Sequence, residues 1–403
     1  MATNKWRGDY LARAKVVTLV VGSSTNTHTF ITTMNGKSIT VTAGASETTS
    51  TIATAIQAAL AASEIPEFRE VTWTVDTATV TGTATTKGVP FTVSKSGTGT
   101  YTLTTTVAST GPNHVDEVAN WSAGTLPAAT EDIIVDVPVD MLWGWESLSA
   151  AAFNSLRIKA TASRVGLPRW NPLGYVEYRQ RAWSVDTNVP VAIGEGDGSG
   201  PTRVILSVGS VLAAVIHKTG DRENDAEPVV NLYGCSSGTI SAARGDVGVG
   251  SDDDTLTGTV TTGTIDNDAT LTVGKGCTVT TCEQKAESKL VGHGTVTTLT
   301  TSGGEATLYT APTTVTADGA CVVDLRGTGT TTTVTARGQG EGKAPRIECG
   351  NNPRAKTFTN TTITGGAILN DPDKTVTFTN AAQFDRESLK ASDLGARPII
   401  QRT

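Results

Sequence analysis

Histidine, cysteine and carboxylate side chains are the residues through which this chain would do chemistry, and their spacing is unpromising. The four histidines, His28, His114, His217 and His293, fall in different segments. None has a Ser or Cys motif beside it that would mark an activated nucleophile, so structural or surface roles are expected. The five cysteines, Cys235, Cys277, Cys282, Cys321 and Cys349, are odd in number and irregularly spaced, as expected of reduced thiols made in a cytoplasm. Cys277 and Cys282 have no second pair and no nearby ligand cluster, so zinc is not expected. Asp252, Asp253 and Asp254 lack the alternation and closing Glu of a Ca²⁺ loop and read as a solvated turn. GEGDGSG, residues 194–200, lacks the Lys-Ser/Thr ending of a phosphate loop and reads as a flexible loop.

Acid–base chemistry fares no better. Glu305, Asp318, Asp324 and Glu341 sit at unmatched phases, so no two of them can be placed at the separation of about 5 to 9 Å that paired catalytic carboxylates need. Arg7-Gly8-Asp9 and Arg244-Gly245-Asp246 spell an integrin-ligand tripeptide, which chance explains in a Gly-rich chain. The alternative is that Arg7 and Asp9, near a flexible start, help dock a partner. Aromatic surface for stacking is concentrated in Trp143, Trp145, Trp170, Tyr175, Tyr178 and Trp183. Core or inter-subunit packing is the expected use of these six, and glycan contact the alternative. The expectation is a non-enzyme with no catalytic residues, metal or cofactor.

Composition says what most of the chain is for. Thr occupies about 70 of the 403 positions and aromatics only 5%. Such β-branched material favours strands. A net charge of -7 without a long basic run gives no footprint for nucleic acid. No run of about 18 apolar residues predicts a membrane span, and MATNKWRGDYLARAKVV lacks a secretory signal's apolar core.

The pattern along the chain predicts a mainly β protein: a small N-terminal α/β domain and a β-helix (β-solenoid) body. Residues 1–15 read as an arm and 16–110 as the α/β domain. Within that domain, three strands precede SETTSTIATAIQAALAAS, whose Ile52, Ile56 and Leu60 share a helical face, and four strands follow. Ser46 is the expected N-cap, and Pro66 lies beyond the helix end. Residues 111–135 read as a linker and lead-in segment, 136–380 as the body and 381–403 as a tail or cap.

Beyond residue 235 a repeat emerges. Ile240, Val260, Val279, Val296, Val315 and Val334 recur about every 19 residues, and Phe358 and Phe378 extend that series. A second series, Leu271, Leu290, Leu308, Leu325, Ile347 and Ile368, interleaves with it. A period near 19 with Gly-rich corners marks a coil in which each turn lays a strand on the last, aliphatic residues inside and Thr outside.

MATNKWRGD, AALAASEIPEFREVTWT with GVPFTV, GPNHVDEVANWSAGTLP, GLPRWNPLGYVEYR and KTVTFTN together resemble tailed-phage and prophage virion structural proteins with an N-terminal α/β domain and a β-helical body. The likeness spans most of the chain and carries no catalytic motif. It implies a bacteriophage structural protein of the virion, assembled in the host cytoplasm as a homotrimer on the major capsid protein or on tail components. Capsid decoration is the favoured placement. The alternative is a tail fibre or tailspike that binds, or cleaves, a host surface glycan.

Overall fold

Alternation decides where the strands form. In Gly258–Ile265, GTVTTGTI, the residues Gly258, Val260, Gly263 and Ile265 are buried, and the threonines between them are left at the surface. Period-two burial of small and β-branched residues recurs from strand to strand and leaves little helix-forming material outside the N-terminal domain. The computed structural model describes residues 2–23, 25–148, 153–185, 188–223, 227–251, 255–339, 344–350, 356–372, 376–385 and 388.

The protein is mainly β and is dominated by two long sheets, of 14 and 11 strands among the described residues. Pairing within both is parallel. Successive strands alternate between them: Pro190–Glu195, Val211–Ile216 and Ser237–Ala242 belong to the larger sheet, Arg203–Val208, Val230–Tyr233 and Gly245–Val249 to the smaller. That alternation is consistent with a coiled solenoid. Thirteen strands follow one another in the larger sheet, which at about 4.8 Å per step makes it roughly 60 Å long. One core runs between the sheets from Trp6 to Val376.

Val296, Val315 and Val334 are buried in the larger sheet, but the inferred columns need correction. Ile240 pairs with Gly263, Gly263 with Cys282, Cys282 with Leu299, Leu299 with Val315, and Val315 with Val334. Val260, Val279 and Val296 form a separate short column. The cause is strand length. Gly258–Ile265, Cys277–Gln284 and Thr295–Thr301 bury an extra inward position, and a repeat read from sequence slides onto it unnoticed. In the smaller sheet Leu271 and Leu290 continue through Ala306, Val323, Ile347 and Leu369, whereas Leu308 and Leu325 belong to the neighbouring column. Ile368 is only half-buried beside the buried Leu369.

The outer face of the larger sheet carries two ranks of hydroxyls. Thr239, Thr262, Thr281, Thr298, Thr314 and Thr333 are stacked in register. Two positions along, Ser241, Thr264, Glu283, Thr300, Thr316, Thr335 and Thr362 form a second rank, interrupted only by the glutamate.

The opening residues are not a free arm. Thr3–Lys5 pairs in parallel with Asp132–Val135, placing it at the start of the larger sheet. Trp6 is buried edge-on against Trp121, ring centroids 5.1 Å apart, and its indole N–H donates to the Val139 carbonyl.

The N-terminal domain has its own core. It comprises strands Val16–Ser23, Thr29–Met34 and Lys37–Thr42, then helix Thr49–Ala61, short helix Pro66–Arg69, and strands Val71–Asp76, Thr79–Ala84, Ser94–Ser96 and Thr100–Val107. The strands form two antiparallel sheets, of four and three strands. The long helix buries Ile52, Ala53, Ile56 and Leu60. Thr48, not Ser46, is its N-cap, in a reciprocal capping box with Thr51. Ser46 lies in a turn with positive φ, where its side chain cannot take that place.

Candidate ligand-binding cleft

The aromatic segment performs two tasks. Trp145 and Trp183 lie in the core, with Trp183 against Trp121, Trp145 and Phe153. Trp143, Tyr175 and Tyr178 help form the joint between the N-terminal domain and the sheets. At its centre is Glu70, at the C-terminal end of the helix Pro66–Arg69. Its carboxylate accepts hydrogen bonds from Tyr175 Oη at 2.5 Å, Tyr178 Oη at 3.2 Å and Arg179 Nη2 at 3.2 Å. Arg179 also donates to both oxygens of Glu177 and to the Pro90 carbonyl, and its guanidinium lies 4.5 Å from the Trp143 ring centre. Burial pushes the Arg179 pKa down, but the Glu177 carboxylate outweighs it and the net shift is upward. Burial and the Glu70 carboxylate raise both tyrosine pKa values, so the hydroxyls stay protonated as donors.

Trp170 is different. It is 53% exposed, on a hairpin whose tip also exposes Leu173 and Val176. Pro172 follows Asn171 in a turn closed by Gly174 N–H to the Asn171 carbonyl, and the Asn171 side chain accepts from Leu173 N–H. The hairpin borders a cleft of about 680 Å³ between the domain and the sheets, whose lining includes Arg69, Trp143, Arg164, Trp170, Leu173 and Arg203. That volume lies within the range of small-molecule sites, about 300 to 1,000 Å³. Arg164 is bound by Asp140, and Arg203 by Glu223 and the Gly166 carbonyl. Arg69 is exposed, and no side-chain hydrogen bond or ion pair engages it among the described residues.

Two constellations that sequence spacing missed mimic catalytic sites. Ser109 Oγ lies 3.2 Å from His114 Nε2, and His114 Nδ1 lies 3.3 Å from Asp116 Oδ1. Yet Nε2 is also 3.0 Å from the Gly88 carbonyl. A carbonyl at that distance requires N–H there, which removes the lone pair that would activate the serine. His114 is a clasp between the domain and the segment that follows it. Asp324 and Glu348 occupy adjacent strands in register. Each is held by an arginine two residues away, Arg326 just past the strand of Asp324 and Arg346 within the strand of Glu348. The 24-residue step between them departs from the period, so their pairing was invisible in sequence.

The other sequence candidates are dispersed. Glu305 pairs in register with Lys289, Asp318 with Arg337 on the other sheet. Glu341 and Asp252 to Asp254 lie outside the described residues. His28 is half-buried, His217 is exposed, and His293 stacks on Tyr309. All five thiols are buried, and burial raises every one of their pKa values, Cys277 and Cys321 to about 11 and Cys282 to about 12. Among the described residues no group of three or more His, Cys, Asp or Glu is placed to hold a metal ion. Of residues 194–200, Gly194 and Glu195 end the strand Pro190–Glu195, with Glu195 paired to Lys159, and 196–200 begin the crossing to Arg203–Val208.

In both integrin-like tripeptides the glycine is closely packed, while Arg7, Asp9 and Arg244 are exposed. A Cβ on Gly8, which has φ +60°, would lie 2.5 Å from Val139 Cγ1. One on Gly245 would meet Thr219 Oγ1 at 2.3 Å, and Asp246 is engaged by Arg222 and by Val229 N–H. Among the described residues no helix is long and apolar enough to cross a membrane.

Neither the protein-family models nor the curated proteins searched include a match to this chain.

Proposed function

We propose that this chain is a structural protein of a bacteriophage or prophage virion, a non-enzymatic scaffold whose two long sheets are faces of one β-helix. The observation that carries this reading is the continuous core from Trp6 to Val376, built from stacked strands that turn threonines outward. Among the described residues, the Glu70 joint, the His114 clasp and the Asp324 and Glu348 ion pairs spend convergent ionisable groups on internal pairing. The sequence resemblance supports particle assembly as a homotrimer in the host cytoplasm, in contact with the major capsid protein, as a decoration protein. Electron microscopy of intact particles bearing a labelled copy tests the placement. Label on the capsid supports decoration, label on the tail supports the second reading below, and particles without label overturn both.

The second reading, a tail fibre or spike that engages a surface glycan, is favoured by one observation. Trp170 alone of the six aromatic candidates is more than half exposed, and it borders the cleft of about 680 Å³ at the joint.

A further inference from the structure

We propose that the cleft at the joint binds a carboxylate-bearing saccharide, the Trp170 ring lying against a sugar face and the Arg69 guanidinium taking the carboxylate. The proposal deepens the second reading above. Its test uses the purified chain, so failure here is distinct from failure to find the protein on a tail.

Three features point to this ligand. An exposed indole is costly in water and gives a flat apolar surface to the C–H face of a sugar ring. Here it sits on a turn fixed by Pro172 and the Asn171 side chain, so little conformational freedom remains to be lost on binding. The charge available to a ligand is positive: Arg164 and Arg203 are matched by Asp140 and Glu223, while Arg69 is unengaged among the described residues. A guanidinium presents two parallel N–H donors to a carboxylate, a geometry a neutral sugar does not use. The pairing of a ring platform with one free cation therefore selects an acidic sugar over a neutral one.

The chain carries its own reporter. The other six tryptophans are at most 8% exposed, so fluorescence accessible to acrylamide comes chiefly from Trp170. Oligogalacturonate is expected to protect that fraction from quenching, and maltoheptaose of equal length is not. Calorimetry should show the affinity falling about tenfold or more in Arg69→Gln, the loss of one charge-assisted contact, and vanishing in Trp170→Ala. Both side chains are exposed, and unchanged far-ultraviolet circular dichroism and melting temperature would establish that the variants fold. Four results would each overturn the proposal: no protection by oligogalacturonate at millimolar concentration, equal binding of maltoheptaose, equal or tighter binding of polyglutamate, which would make the cleft an acidic-peptide site, or undiminished affinity in Arg69→Gln.

Discussion

Glu70 does more for this molecule than any residue its sequence singles out. Three donors from the Tyr175 to Arg179 segment converge on one carboxylate that is largely out of water. Truncation in Glu70→Ala leaves the Tyr175 and Tyr178 hydroxyls without that acceptor, while Arg179 keeps Glu177 and the Pro90 carbonyl. A loss of about 2 kcal/mol is expected, in the range for leaving sheltered hydrogen-bonding groups unsatisfied. Calorimetric unfolding should then resolve the N-terminal domain as a separate transition, which would be absent from the unaltered protein. Glu67 makes a different contribution in the same short helix. Its side chain is fully buried; desolvation pushes its pKa up, but Lys37 and Asn35 hydrogen bonds outweigh that, and the net shift is below the ordinary 4.5. A carboxylate with a lowered folded pKa contributes stability fully above its unfolded pKa and loses it as pH falls through the folded value. The melting temperature of the N-terminal domain should therefore drop on acidification below about pH 4.5, and Glu67→Gln should flatten that dependence. Neither role was legible beforehand. Glu67 and Glu70 sit in an unremarkable EFRE, and their partners are 30 and 105 or more residues away.

Most strands of the N-terminal domain and of the repeat beyond residue 235 were legible, because period two is written into them, and so was the long helix, whose Ile52, Ile56 and Leu60 are buried as their spacing required; between residues 130 and 230 the pattern is mixed, and Arg203–Val208 buries its first four residues in a row. Register was not. Leu299 and Val296 are three residues apart and both buried, but only Leu299 lies against Val315. Sequence sees two aliphatic residues at an acceptable period; the choice depends on where each strand enters the sheet, and loop length sets that. A double-mutant cycle tests the correction. Leu299→Ala and Val315→Ala should couple by about 0.5 kcal/mol or more, as touching residues do, whereas Val296→Ala and Val315→Ala should be additive within about 0.3 to 0.5 kcal/mol. Equal coupling in both cycles would restore the uncorrected columns. The exposed ranks of threonine belong to this scale too. Their branching favours extended backbone at each position, and adjacent hydroxyls add cross-strand contacts of a few tenths of a kcal/mol each. That Trp170, among the six aromatic candidates, is the exposed one, with Arg69 lining the same cleft, was not legible for a related reason. A tryptophan in sequence does not show whether it faces a core or water, and four of the six candidate aromatics are buried.

At the scale of the whole molecule, the larger sheet begins with a strand from the far end of the sequence. Thr3–Lys5 covers the edge that Asp132–Val135 would otherwise present, and an uncovered parallel edge is a template for another chain. Deleting residues 2–6 removes that strand together with Trp6, leaving Trp121 partly bare. The shortened protein is expected to form concentration-dependent oligomers in analytical ultracentrifugation; a species with the sedimentation of the full chain at every concentration would contradict this. The same pairing has a consequence in time. On a ribosome Thr3–Lys5 emerges well before its hydrogen-bonding partner exists, and more than a hundred amino acids, including a domain able to build its own core, must follow before this strand has somewhere to go. The strand therefore waits, unpaired, until the segments between have been made. Bulk attached next to it would obstruct its docking while leaving the N-terminal domain intact.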